Sequence, residues 1–120
     1  MTDTPEPDIA RSPDEIARLL REHPETRVLD VRTASSRSAG KVIAGSELLD
    51  VNEQLAEGNF DALLEHDLPA DQPLVLVCNT GGKCTRAAAF LRERGYDAVS
   101  VYGGMRGWEA AGKRVEPGTE

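Results

Sequence analysis

The sequence is poor in cysteine, in aromatic residues and in long hydrophobic runs, and each shortage excludes a class of protein. Two cysteines in 120 residues are too few for a disulfide scaffold. Neither histidine has the spacing to them that zinc sites show, so we expect no metal ion, and nothing calls for a cofactor. No apolar run approaches the about 20 residues of a membrane span, and the N-terminus lacks the apolar segment of a signal peptide.

Basic side chains are also fewer than acidic ones. The chain has 14 lysines and arginines against 21 aspartates and glutamates, a net charge of −7. A broad surface for nucleic acid or for anionic membranes is therefore not expected. Without a targeting segment or a membrane span, the expected location is the cytoplasm.

The order of predicted elements favours a single α/β domain. Strand-like apolar runs alternate with helical patterns, which is typical of a parallel sheet with helices on its faces. We expect residues 1–8 to be disordered, residues 9–113 to form the domain and residues 114–120 to be a tail.

Local signals mark the individual elements. Ser12 and Glu15 form a capping-box pattern that starts a helix, and Pro24 ends it. Gly103 and Gly104 predict a tight turn, and Trp108 a core anchor of the last helix. Strands are predicted at 28–31, within 43–51, at 74–77 and at 99–102. Further helices are predicted at 53–65, with Gly58 as a candidate break, at 84–94 and at 105–111.

The most informative segment is residues 74–89. An unbroken apolar run ends at Cys78, and a loop rich in glycine and small polar residues leads into an alanine-rich helical segment. Backbone N–H groups converge in such a loop, and the helix dipole favours negative charge there. A cysteine in this place should ionise easily, so we interpret Cys78 as a nucleophile rather than as a buried core thiol.

Four segments in order resemble the rhodanese family of sulfurtransferases, in its single-domain form. Residues 28–32 are similar to the family's first strand, which ends Asp-Val-Arg, and 43–46 to its Ile-Pro-Gly turn. Residues 78–83 resemble the catalytic Cys-x-x-Gly-x-Arg loop, and 103–108 the closing Gly-Gly-x-x-x-Trp. The resemblance implies a three-layer fold with a central, mainly parallel five-stranded sheet and helices on both faces.

The resemblance also implies a reaction. The thiolate of Cys78 would attack the sulfane sulfur of a small anionic donor, sulfite would leave, and a persulfide would remain on the cysteine. A thiol acceptor, either a low-molecular-weight thiol or a thioredoxin-like protein, or cyanide would then take the sulfur. Lys83 favours thiosulfate as the donor, because enzymes that use 3-mercaptopyruvate have an uncharged loop.

The remaining site residues follow from the same resemblance. The expected substrate-binding residues are Asn79, Thr80, Gly81, Gly82, Lys83 and Arg86. Arg86 is equally well interpreted as a solvated helix residue. Asp30 and Arg32 would brace the loop or form a surface ion pair. Cys84 would pack as a small apolar residue or act as a resolving thiol for Cys78. No histidine is assigned as a general base.

The chain departs from the family pattern at several points, and two other functions remain open. Asn79 stands where arginine is frequent, Lys83 replaces the loop's arginine, Cys84 occupies a common serine position, and the histidine before the Ile-Pro-Gly turn is missing. One alternative is a non-catalytic binding or regulatory module. The other is a phosphatase or arsenate reductase with a Cys-x5-Arg loop, but here Arg86 comes two residues too late.

Overall fold

The computed structural model describes residues 9–118, which form a parallel sheet between two layers of helices. The strands are Ala10–Arg11 (β1), Arg27–Asp30 (β2), Lys41–Ile43 (β3), Glu47–Leu48 (β4), Leu74–Val77 (β5), Ala98–Val101 (β6) and Val115–Pro117 (β7). The helices are Pro13–Glu22 (α1), Ala34–Ala39 (α2), Asn52–Ala56 (α3), Gly82–Arg92 (α4) and Gly104–Ala110 (α5), with a 3₁₀ helix at Phe60–Glu65.

The central sheet has the strand order β1-β6-β5-β2-β4, and all of its neighbouring strands are parallel. Strand β5 lies in the middle and is buried along its whole length. Its side chains alternate between two cores, with Leu74 and Leu76 on one face and Val75 and Val77 on the other. The predicted five-stranded parallel sheet is confirmed.

Helices cover both faces of this sheet, as expected. On one face, α3, α4 and the 3₁₀ helix contribute Leu55, Leu91 and Leu63 to the core. On the other face, α1 contributes Ile16 and α5 contributes Trp108. The three-layer arrangement therefore has one apolar core on each side of the sheet.

Several local predictions are also confirmed. Ser12 Oγ accepts a hydrogen bond from the Glu15 amide at 3.2 Å, and the Glu15 carboxylate accepts one from the Ser12 amide at 3.2 Å, which completes the capping box of α1. Gly58, with φ of 84°, separates α3 from the 3₁₀ helix. Trp108 is buried, as predicted for a core anchor.

Other elements differ from the expectations. Strand β1 and helix α2 were not predicted, the 43–51 region contains β4 and only the end of β3, and α4 begins two residues earlier than expected. The segment expected to be a tail contains β7, which pairs antiparallel with β3. Val115 packs against the core there, and Trp108 Nε1 donates to the carbonyl of Arg114 at 2.9 Å. The expectations for 1–8 and for 119–120 lie outside the described residues.

Candidate active site

Cys78 lies where the carboxyl ends of two parallel strands meet. It follows the last residue of β5, and the neighbouring strand β2 places Asp30 opposite Val77. The loop after Cys78 turns into α4 through Gly81, whose φ of 102° suits glycine. This edge of a parallel sheet is the usual place for a ligand.

The sulfur of Cys78 is surrounded by hydrogen-bond donors. The amide of Gly81 lies 3.1 Å from Cys78 Sγ and the amide of Cys84 lies 3.4 Å from it. The Sγ of Cys84 is 3.3 Å away, and because Cys84 keeps its proton while Cys78 ionises, the Cys84 thiol is the donor to the Cys78 anion. The Cys84 thiol, followed by the backbone amides of Cys84, Gly81 and Thr80, lowers the pKa of Cys78 to about 5, although burial acts in the opposite direction. Cys78 is thus a thiolate at neutral pH.

Cys84 has the opposite character. It is fully buried in the first turn of α4. Its hydrogen bond to Cys78 and its burial raise the pKa of Cys84, because a second thiolate beside the first would be repelled and poorly solvated. The prediction that Cys84 packs in the core is confirmed, but the side chain is also the donor with the largest influence on Cys78.

The start of α5 holds the loop from the other side. The amides of Met105 and Arg106 donate to the carbonyls of Cys78 and Asn79 at 2.7 and 3.1 Å. Gly104 lies so close that a Cβ built on it would be 2.4 Å from the Cys78 carbonyl oxygen. The predicted turn at Gly103 and Gly104 therefore contacts the loop directly, and the two carbonyls that face it cannot turn toward Cys78 Sγ.

A cleft of about 340 Å³ opens above Cys78, and its lining within residues 9–118 includes three cationic side chains and no carboxylate. Asn79 and Thr80 are exposed at its wall, and Arg86 is also exposed. Its lining residues are Arg32, Asn52, Cys78, Asn79, Thr80, Gly82, Lys83 and Arg86. In a chain with a net charge of −7, this composition gives the cleft a local preference for anions.

The structure thus brings together most of the predicted site residues. Gly81 contributes its amide to Cys78 without lining the cleft, while Asp30 and Cys84 lie beneath it. The sequence analysis missed Asn52. Its Oδ1 accepts a hydrogen bond from Lys83 Nζ at 2.8 Å, which ties the lysine to the start of α3. No local motif marks an asparagine that approaches Lys83 only through tertiary packing.

Asp30 and Arg32 form a buried ion pair, so the interpretation as a surface ion pair was wrong. The Asp30 carboxylate is fully buried and Arg32 is 5% exposed. Arg32 Nε donates to Asp30 Oδ1 at 2.9 Å and Arg32 Nη2 to Asp30 Oδ2 at 2.7 Å. Arg37, which the sequence analysis did not identify, adds a third contact to Asp30 Oδ2 at 3.1 Å. Together they fix the Arg32 side chain at the edge of the cleft.

The described residues contain neither a metal site nor a membrane span. No group of three or more histidine, cysteine or acidic side chains within 9–118 is arranged to hold a metal ion. No helix in the same range is long and apolar enough to cross a membrane.

Fold and site together define an α/β protein of the class that presents a reactive thiol on a loop between a buried strand and a helix. The chain belongs to the rhodanese family, since the family model for the Rhodanese-like domain matches residues 12–111. The resemblance found in the sequence is confirmed.

Relatives and solved structures agree with this assignment. The chain is 38% identical to the thiosulfate sulfurtransferase GlpE of Pseudoalteromonas translucida over 85 residues, which cover 70% of this chain and 73% of that protein. It is 37% identical to the Pseudomonas putida protein of the same name over 101 residues, covering 83% and 84%.

Among solved structures, a rhodanese-related protein from Thermoplasma volcanium superposes with a TM-score of 0.70 at 23% identity, covering 93% of this chain and 99% of that one. The chain covers only 20% and 16% of two longer proteins that contain the fold.

Proposed function

We propose that the protein is a sulfurtransferase that takes the sulfane sulfur of thiosulfate onto Cys78. The observation that carries the proposal is the Cys78 thiolate, held by loop amides and the Cys84 thiol at the floor of a cationic cleft. The 37–38% identity to proteins named thiosulfate sulfurtransferase supports the choice of donor. The interpretation as a binding module needs no such thiolate, and the phosphatase loop needs an arginine where buried Cys84 stands.

In the first half-reaction, the cleft binds the donor dianion and Cys78 attacks it. Lys83 and Arg86 provide positive charge at the mouth, and Arg32 provides it at the edge. The thiolate forms a bond to the sulfane sulfur, and sulfite leaves with the electron pair of the broken S–S bond. Cys78 then carries a persulfide. No general base is required, because the nucleophile is already deprotonated.

In the second half-reaction, an acceptor removes the outer sulfur and restores the thiolate. Cyanide or the thiolate of a low-molecular-weight thiol or of a thioredoxin-like protein attacks the outer sulfur, and the Cys78 sulfur leaves as the anion that the loop amides stabilise. The reaction is therefore of the ping-pong type and needs neither metal nor cofactor. We place it in the cytoplasm, where thiol acceptors are kept reduced.

The test is a single turnover followed on a rapid timescale. Purified protein is mixed with excess thiosulfate, quenched with acid within the first turnover, and assayed for sulfite and for intact mass. We expect one sulfite released per chain and transient gain of one sulfur atom, both abolished in Cys78→Ala, as a covalent intermediate requires. Adding cyanide should convert the reaction to steady formation of thiocyanate. Absence of a sulfite burst from the unaltered protein would contradict the proposal.

A further inference from the structure

We propose that Cys84 resolves the Cys78 persulfide inside the chain, so that sulfide is released and a Cys78–Cys84 disulfide remains. The proposal rests on the proposed function, because it begins from the sulfur-loaded enzyme. It also assigns the class of the external reductant, since two thiol equivalents, from one dithiol or from two monothiol molecules, must return the disulfide to the reduced pair by thiol–disulfide exchange.

The geometry places the second thiol within reach of the first. The two Sγ atoms are 3.3 Å apart, so a disulfide of about 2.05 Å requires a closing movement of only about 1.3 Å. Both cysteines are free in this structure. Cys84 lies in the first turn of α4, just after Gly81 and Gly82, at which the loop turns into the helix.

The two cysteines also differ in their access to the cleft. Cys78 lines the cleft, whereas Cys84 is fully buried and does not. We place the outer sulfur in the cleft that Cys78 lines, which leaves Cys84 on the buried side of Cys78 Sγ, away from the leaving atom. Displacement at a disulfide-type sulfur needs this in-line arrangement of attacking, central and leaving sulfurs, and the attacked atom is therefore Cys78 Sγ rather than the outer sulfur.

The step balances without an added oxidant. The persulfide anion and the neutral Cys84 thiol give a disulfide and hydrosulfide. The Cys84 sulfur forms the new S–S bond with Cys78 Sγ, and the bond to the outer sulfur breaks. That sulfur leaves with the electron pair and with the Cys84 proton. The sulfane sulfur is reduced to sulfide and the two cysteines are oxidised.

The same contact keeps Cys84 inactive until the sulfur has been loaded. In the free enzyme, the Cys84 thiol is hydrogen-bonded to an ionised Cys78 Sγ, and this hydrogen bond, together with the burial of Cys84 and the charge on Cys78, raises the pKa of Cys84. Once Cys78 Sγ is bonded to the outer sulfur, the negative charge moves to the outer atom. The main reason for Cys84 to keep its proton is then removed. The shift of negative charge away from Cys78 Sγ thus favours resolution only after transfer, while the burial of Cys84 is unchanged.

The experiment follows one anaerobic turnover without any acceptor. Wild type is incubated with thiosulfate for several minutes, and sulfite, sulfide and intact mass are measured under non-reducing acid conditions. We expect sulfite and sulfide in equal amounts and a final mass lower by two hydrogens. Trypsin cleaves after Lys83, so the bond should appear as a link between the peptide ending at Lys83 and the peptide 84–86.

Cys84→Ser is the matched control, and Cys84→Ala is a second variant in case the first folds poorly. Both lack the largest cause of the low Cys78 pKa, so we expect them to load sulfur more slowly than wild type at neutral pH. Run to completion at about pH 9, where an ordinary cysteine is largely ionised, both should release one sulfite per chain but no sulfide, and both should retain one sulfur atom on Cys78. Wild type that keeps the sulfur atom and releases no sulfide would overturn the inference. Failure of wild type and both variants to release sulfite would instead overturn the proposed function, so the two failures are distinguishable.

Discussion

At the scale of single residues, two thiols in contact have opposite protonation states because their surroundings differ. Cys78 is the acceptor of two amides and one thiol, which stabilise its anion. Cys84 is buried beside that anion. Its hydrogen bond to Cys78 and its burial raise the pKa of Cys84, so it keeps its proton. One proton shared by two sulfurs gives the site its nucleophile without a histidine.

The sequence was sufficient to predict Cys78 as an ionised thiol, but not to predict that the Cys84 thiol lowers its pKa most. A cysteine between a buried strand and a glycine loop predicted the ionised thiol from the amides alone. Cys84 was interpreted first as a packing residue, because the spacing of six residues does not show that the loop folds back until the sulfurs touch. Asn52 and Arg37 were missed for a similar reason, since each contacts its partner only through the tertiary fold.

The tether between Asn52 and Lys83 gives a residue-scale prediction. Asn52→Ala leaves Lys83 Nζ without its 2.8 Å acceptor, so the lysine spends less time directed at the cleft. We expect KM for thiosulfate to rise by about 3- to 10-fold, the equivalent of about one hydrogen bond, with a smaller change in kcat.

The control is Gln54→Ala, a second amide side chain on the same helix that does not line the cleft. It should leave KM within twofold of the wild-type value. Steady-state formation of thiocyanate measures both variants. Equal KM values for Asn52→Ala and wild type would show that the tether has no part in donor binding.

At the scale of elements, the sequence predicted the helices and strands that have a strong local pattern of apolar or alanine-rich residues. Strand β5 and helix α4 have continuous apolar or alanine-rich runs, and they lie where predicted to within two residues. Helix α2 has no buried residue and hence no apolar face to detect. Strands β1 and β7 have two and three residues and exist because β6 and β3 supply their partners, which no local pattern encodes.

The contact between the α5 turn and the Cys78 loop gives an element-scale prediction. Gly104→Ala combines a positive φ of 62° with a Cβ 2.4 Å from the Cys78 carbonyl oxygen. We expect a loss of about 2–4 kcal/mol in the free energy of unfolding, since backbone strain and a steric clash with backbone both contribute.

Gly112→Ala isolates the conformational part of this effect. Gly112 has a φ of 73° but no atom within 4 Å of an added Cβ, so only about 1 kcal/mol should be lost. Urea unfolding compares the two variants. If both lose the same free energy, the close approach of α5 to the loop makes no contribution to stability.

At the scale of the whole molecule, an acidic protein contains a cationic cleft. The net charge is −7, yet among the described residues three cations and no carboxylate line the cleft. The buried Asp30 neutralises much of Arg32 from beneath, so Lys83 and Arg86 supply the charge that a dianion meets at the mouth. The composition shows only that the chain is acidic. The fold is needed to show that cationic side chains are brought together at the cleft.

The pairing of β7 with β3 gives a whole-molecule prediction. A chain that stops after Arg114 keeps the carbonyl that Trp108 contacts but loses β7 and the packing of Val115. We expect the free energy of unfolding to fall by about 1–3 kcal/mol, from a few backbone hydrogen bonds and one half-buried side chain.

Sulfite release at 20 °C should persist in this shortened chain, because none of residues 87–118 lines the cleft. Glu116→Ala, a change at an exposed position of β7, should alter neither the free energy of unfolding nor sulfite release. A truncated protein as stable as wild type in thermal unfolding would show that β7 contributes nothing to the fold.

The most direct test of the central claim is the pH dependence of Cys78 alkylation by iodoacetamide, read at Cys78 by peptide mass spectrometry. Only the thiolate reacts, so the rate should fall as the pH drops through the pKa and be level above it. We predict a midpoint near 5 in wild type and a clearly higher midpoint in Cys84→Ala, which lacks the largest cause of the shift. A wild-type midpoint near 8.5, the value of an ordinary cysteine, would contradict the account.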